Sequence, residues 1–126
     1  MLKLERVSKR WSDFVVNNVC IECVRGEYFV IMGPTGAGKT LLLQLIAGIF
    51  YPDSGKIFIN GQEVTFHPPE KRNIGYVPQN YALFPHLKVS DNIAYGLKLR
   101  GYSQPEVNAA VKELAEQLGI SHLLHR

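Results

Sequence analysis

Tyr28-Phe29-Val30-Ile31-Met32-Gly33-Pro34-Thr35-Gly36-Ala37-Gly38-Lys39-Thr40, running on through Leu41-Leu42-Leu43-Gln44-Leu45-Ile46-Ala47-Gly48-Ile49, is the stretch on which the fold turns. Its first five residues are an apolar run of strand length, too short for a helix. Its last nine carry apolar residues at 42, 45, 46 and 49, which is helical spacing. Between them lies G-x-x-x-x-G-K-[ST], the Walker A pattern, in the strand–loop–helix setting it requires. The glycines let the backbone curl so that successive N–H groups point inward at phosphate oxygens, and the helix N-terminus adds partial positive charge. Lys39 can reach β- and γ-phosphates, and the Thr40 hydroxyl can ligate Mg²⁺. These residues predict a nucleoside triphosphate site. The competing reading is a glycine turn beside an exposed lysine.

Working outward, 126 residues allow one domain. An apolar fraction of 46% and a charged fraction of 20% are those of a soluble globular protein. The net charge of +3 is mild, and lysines and arginines are scattered from Lys3 to Arg126 without forming a stripe, so nucleic acid is not implied as a partner. No apolar run approaches the ~20 residues needed to cross a bilayer. The start, Leu2-Lys3-Leu4-Glu5-Arg6, alternates and carries charge, unlike a signal peptide. A cytoplasmic chain is expected. Cys20 and Cys23 form a lone C-x-x-C, while His67, His86, His122 and His125 lie far downstream at spacings that suit no zinc site. Two small strand side chains in a reducing compartment are the expected reading.

Upstream of the Walker A stretch, Leu2, Leu4 and Val7 suggest a strand ending near Ser8-Lys9-Arg10, and Trp11-Ser12-Asp13 a turn. Phe14 to Val24 reads as a second strand whose alternation falters at Asn17-Asn18, where a bulge is expected. Trp11, the only tryptophan, either stacks on a base or covers the sheet edge. Downstream, the helix after Thr40 is apolar on nearly every side and should be buried, ending near Gly48. Lys56-Ile57-Phe58-Ile59, Asn60-Gly61 and Gln62-Glu63-Val64 carry the Asn-Gly signature of a tight hairpin. Pro68-Pro69-Glu70-Lys71-Arg72 begins a short exposed helical turn, and Ile74-Gly75-Tyr76-Val77 is a second buried strand candidate.

The texture changes after Pro78-Gln79. Tyr81-Ala82-Leu83-Phe84-Pro85-His86-Leu87 is an apolar loop, and Val89 to Leu99 is helical. Ser103-Gln104-Pro105-Glu106 is a capping box, followed by a stripe of Val107, Val111, Leu114 and Leu118 closed by Gly119. Ser121 could cap one more helix. Sheet-forming sequence thus occupies residues 1–80 and helical sequence residues 81–126, with a hinge near Gln79.

In this order the motifs resemble the ATP-binding subunit of an ABC transporter, along essentially the whole chain. Gly33, Pro34, Thr35, Gly36, Ala37, Gly38, Lys39, Thr40 and Leu41 match the family's Walker A region, Gln79 after Tyr76-Val77-Pro78 its Q-loop glutamine, and Trp11 its adenine-stacking aromatic. Pro78–Leu87 and Asn92–Leu97 are most similar to importers, closest to the molybdate/tungstate or sulfate type, with maltose- and polyamine-type importers near. The resemblance implies an α/β fold of the P-loop NTPase, ABC type: a mixed sheet, an antiparallel β subdomain and a helical subdomain, here truncated to about the N-terminal half. It implies ATP and Mg²⁺, with Lys39 and Gln79 in catalytic roles and Thr40 and Gln79 on the metal.

It also implies partners: a membrane-spanning permease subunit docking at Tyr81–Leu87, a second ATP-binding subunit in a head-to-tail dimer, and indirectly a substrate-binding protein. The expected location is cytoplasmic, peripheral on the inner face of the cell membrane. Internal packing is the alternative use of the Tyr81–Leu87 loop. No L-S-G-G-Q signature, D-loop, switch histidine or apolar strand ending in Asp-Glu occurs in residues 1–126, so ATP binding without turnover is expected of them. The Tyr28–Met32 strand should be parallel and buried on both faces, with an open edge towards its absent neighbour. Alternative readings are a truncated, non-hydrolysing nucleotide-binding module and a small P-loop kinase. The kinase would need phosphate-clamping arginines, and only Arg72, Arg100 and Arg126 follow Lys39.

Overall fold

Leu2, Leu4 and Val7 head a ten-residue strand, β1 (Leu2–Trp11), in a computed structural model that describes residues 1–126. A two-residue turn at Ser12-Asp13 returns the chain as β2 (Phe14–Cys23), antiparallel to β1. The register slips twice, first between the pairs Leu4↔Ile21 and Val7↔Val19, then between Val7↔Val19 and Lys9↔Val16. The extra residue falls in β1 at the first slip, where Arg6 has φ 47°, and in β2 at the second, where Asn18 has φ 49°. The second is the bulge expected at Asn17-Asn18. A single slip would turn every later side chain to the wrong face. Two opposed slips cancel, so Leu4, Val7 and Val16 all remain in the core.

On its other edge β1 pairs with β3 (Ser54–Ile59), which turns at Asn60-Gly61 into β4 (Gln62–Glu63). Both turn residues have positive φ, 51° and 80°, the geometry that Asn-Gly supplies at low cost. The sheet order is β2-β1-β3-β4, antiparallel throughout. Gly55 lies where β3 crosses the first bulge. Its φ is 90°, and a Cβ there would stand 2.3 Å from the Arg6 carbonyl oxygen, so no other residue fits.

The helix α1 (Lys39–Ala47) buries Leu41, Leu42, Leu45 and Ile46 in one core with Leu4, Val7, Val16, Ile57 and Val64. Each such side chain contributes roughly 1.5–3 kcal/mol over the exposed state. The helix stops at Gly48, whose φ of 86° makes the left-handed C-cap anticipated there.

Two expected strands do not form. Tyr28–Met32 and Ile74–Val77 carry no ladder hydrogen bonds, and Tyr28 and Met32 are 93% and 86% exposed. A parallel strand exists only through neighbours on its flanks, and no segment of residues 1–126 flanks these two. Ile31 and Ile74 still pack against the core. The sheet is accordingly antiparallel and not mixed.

The chain divides into two units, Met1–Tyr76 and Val77–Arg126. The second holds α2 (Val89–Leu99) and α3 (Gln104–Leu118), joined by a short connection. Ser103 and Glu106 make the reciprocal capping box at the start of α3, and Gly119, at φ 69°, ends it. Its core is Ala94, Val107 and Val111, with Ile93, Leu97 and Leu124 packed around them. The stripe read from the sequence needs correction, because Ala115 is buried while Leu114 and Leu118 are exposed. The buried face of α3 is the i, i+4, i+8 row Val107, Val111 and Ala115, and Leu114 and Leu118 lie off that row. Ser121–Leu123 forms a 3₁₀ turn in place of a longer helix, without a side-chain cap. The residues after it serve α2, whose Val89 and Ser90 N–H groups donate to the carbonyls of Arg126 and Leu124. No helix is long and apolar enough to cross a membrane.

Candidate functional site

The phosphate-loop residues lie on the first unit, between Ile31 and α1. Gly33 to Ala37 are exposed, whereas Gly38 is buried. Gly38 has φ 89°, and a Cβ on it would stand 3.1 Å from the Val15 carbonyl oxygen and 3.4 Å from Val16 Cγ2. Only glycine lets the loop press this closely on β2 while turning into the helix. Gly36 also has positive φ, 85°, yet faces open space. The Ala37 N–H donates to the Pro34 carbonyl at 3.1 Å, and the Leu42 N–H to that of Gly38 at 2.9 Å. The first closes the loop, and the second opens the helix.

Lys39 folds back across this loop. Its ammonium donates to the Gly33 carbonyl and, at 2.8 Å, to that of Pro34. The cation is thereby held on the exposed side of the curl. Thr40 follows with its side chain exposed, and Leu41 is buried as an anchor. The first turn of α1 contains no acidic residue, so nothing there neutralises the positive end of the helix. Glycine-permitted curl, poised ammonium, first-turn hydroxyl and bare helix N-terminus together have the chemistry of a polyphosphate cradle.

Trp11 lies on the same side of the sheet hairpin as this loop. Val16, whose Cγ2 lies against the position a Gly38 Cβ would take, pairs with Lys9, and Trp11 follows two residues on, about 7 Å along the strand. Trp11 is 52% exposed, and its indole rests on Phe50, ring centroids 4.9 Å apart and planes at 40°. The hairpin therefore brings Trp11 and Gly33–Leu41 into one unit. Gln79 and the Tyr81–Leu87 loop belong to the other. There Gln79 is exposed just beyond Pro78, and the chain turns tightly, with Tyr81 and Ala82 at φ 64° and 48°.

Three residues that sequence reasoning passed over shape these features. Arg72, expected in an exposed turn, is only 2% exposed. Its NH1 donates to the carbonyls of Leu45 and Ile46 at 2.9 and 3.1 Å, its NH2 to Thr65 at 3.0 Å and its Nε to His67 at 2.9 Å. The guanidinium thus satisfies the last carbonyls of α1 and sits at the negative end of its dipole. Burial pushes its pKa below the ordinary arginine value, with Tyr51 opposing. Asn92 is the second. Its side-chain oxygen accepts from the Phe84 N–H at 2.9 Å, and its amide donates to the carbonyls of Phe84, Leu87 and Lys88. Phe50 is the third. No spacing rule marks any of them: Arg72 and Phe50 meet groups 26 to 39 positions away, and Asn92 bonds the backbone of a loop that has no regular repeat. Cys20 and Cys23 are free thiols, and no cluster of three or more His, Cys, Asp or Glu is placed to hold a metal ion.

Residues 16–126 match the family model described as ABC transporter. The chain belongs to the ABC transporter family. Among curated members of that family it is 55% identical, over all 126 residues, to the molybdate/tungstate import ATP-binding protein WtpC of Pyrococcus abyssi. It is 57% identical over the same length to WtpC of Methanocaldococcus jannaschii. The spermidine/putrescine import ATP-binding protein PotA of Nitrosomonas eutropha is 43% identical over 127 residues. The chain spans 37%, 42% and 35% of the lengths of these three relatives. Among solved structures it resembles the dimeric ATP-binding cassette MJ0796 in a post-hydrolysis state bound to ADP and Pi. That match has a TM-score of 0.85 and 25% identity and covers all of this chain and 61% of that one.

Proposed function

We propose that residues 1–126 form the nucleotide-capturing part of the ATPase of an ABC importer, and that the importer carries molybdate, tungstate or a similar oxyanion. The observation that carries the ATP reading is the loop itself: left-handed glycines at 36 and 38, with Lys39 arched over the curl at the N-terminus of a buried helix. The oxyanion reading is supported by the 54–57% identity to import proteins so named.

In this reading the loop amides and Lys39 hold the phosphates, Lys39 exchanging its two carbonyl partners for phosphate oxygens. The Thr40 hydroxyl, at the first turn, and Gln79 would hold Mg²⁺, which supplies neutralisation of phosphate charge. Trp11 offers its exposed indole to the adenine. Gln79 reports the γ-phosphate to the helical unit, whose Tyr81–Leu87 loop docks on the permease. A second ATP-binding subunit completes the site head-to-tail, at the inner face of the membrane. Phosphoryl transfer to water is mostly positioning and charge neutralisation, and residues 1–126 carry no acidic residue closing an apolar strand to orient the water. They bind ATP without turning it over.

Calorimetry tests the capture step. Magnesium-dependent ATP binding is expected, weakened roughly ten- to a hundredfold by Lys39→Ala, the equivalent of about 1.5–3 kcal/mol for a hydrogen bond to a charged group. Binding indifferent to Lys39 would sink the reading.

A further inference from the structure

Phe50 is the residue on which the candidate base-binding ring rests, and its own position is tied to the helix that carries the phosphate loop. After the Gly48 cap the chain reverses, and the N–H groups of Ile49 and Phe50 both donate to the Gln44 carbonyl, at 2.9 and 3.4 Å. Phe50 is half-buried against the core cluster that contains Leu41, Leu42, Leu45 and Ile46. Its ring meets Trp11 at 4.9 Å between centroids, a tilted aromatic pair. Trp11 itself ends β1, next to a turn whose Ser12 has positive φ, and half of its surface is open. An indole at a strand end with no other ring partner would sample several rotamers. Packed against Phe50, it is held in one.

We propose that Phe50 is a positioning residue for the nucleotide base: it props Trp11 so that the indole presents a fixed face to the adenine. This rests on the reading of Trp11 as the base-stacking ring. The two ends of the site then share one support. Lys39 and Thr40 begin α1, while the turn that ends α1 delivers Phe50 to Trp11, so the nine-residue helix and its cap link the phosphate grip to the base platform, beside the β1–β2 hairpin that carries Trp11.

The test compares MgATP with magnesium tripolyphosphate, which has the phosphates and no base, by calorimetry on the protein as its gene encodes it. Phe50→Leu should weaken ATP about fivefold or more, within the range expected for one base–aromatic stack, and leave tripolyphosphate unchanged. Phe50→Tyr keeps a ring and should bind both as the parent does. Phe50→Met, similar in volume but without a ring, replaces Phe50→Leu if that variant does not fold. In a Trp11→Ala background Phe50→Leu should cost nothing further, because the prop then has nothing to hold. Equal weakening of ATP and tripolyphosphate would mean that Phe50 acts through the phosphate loop, and would overturn the proposal. So would full ATP affinity in Phe50→Leu when Trp11→Ala has lost it, although base stacking by Trp11 would survive. If Trp11→Ala itself binds ATP normally, the stacking reading falls and the prop falls with it.

Discussion

Arg72 shows how much one side chain can decide. It is buried with four hydrogen-bonded carbonyls and no carboxylate among them, so its charge is balanced by peptide dipoles at the end of α1. Arg72→Met should destabilise the first unit by about 3 kcal/mol or more, because it strands those carbonyls in the interior. The shift in urea midpoint measures it. Gly48 is the other half of this arrangement. A Cβ there would stand 2.6 Å from the Arg72 Nε, on a residue with φ 86°, so Gly48→Ala should be destabilising even though alanine favours helices. Asp53 works at the surface. Its carboxylate accepts from the Arg10 N–H at 2.9 Å and from the Lys9 ammonium at 3.2 Å, in that order of influence, and its pKa lies below the ordinary value of 3.8. A carboxyl with a lowered folded pKa stabilises fully above its unfolded pKa and loses that contribution as pH falls through the folded one. A gap in stability between the parent and Asp53→Asn should therefore be present, and small, at pH 7 and close as the pH drops below about 4.

At the scale of elements, α1 and the Phe84–Lys88 loop are held by different means. The helix is held by apolar burial along its length, closed by Arg72 at one end. The loop is held by the polar bonds of Asn92, with the Phe84 ring 4.5 Å from that of Tyr95, while Tyr81 and Leu83 just before it are exposed. Removing the amide should free the loop without melting α2. Asn92→Ala is expected to speed amide hydrogen exchange at Phe84 while α2 keeps its protection. Elements with a local signature were legible from the sequence. The capping box at Ser103, the Asn-Gly hairpin and the Gly48 and Gly119 stops all appear where the residues place them, because each depends on the backbone within a few positions. The strands at Tyr28–Met32 and Ile74–Val77 had the right composition and failed to form, since a strand is a relation between segments.

For the whole molecule, the exposed side chains of Tyr28, Val30 and Met32 are the main consequence of that failure. An apolar segment with unpaired backbone invites pairing with other chains. Residues 1–126 alone should self-associate with rising concentration in sedimentation, and Val30→Lys should suppress it. Purified in this form they should bind ATP and release no phosphate, as a malachite-green assay would read. The family relationship extends over residues 16–126, more than either unit alone, while the relatives run more than twice as long.

The phosphate loop, its helix, the caps and turns, and with them the family, were carried by short runs of residue types, because steric limits on φ and helical or alternating periodicity act over a few residues at a time. The burial of Arg72, the cancelling bulges that keep Val7 and Val16 inward, the exposure of Leu118 and the seating of Trp11 on Phe50 depended on groups between about ten and forty positions away meeting in space. No local pattern encodes such meetings, since the partner's position is a product of the packed chain.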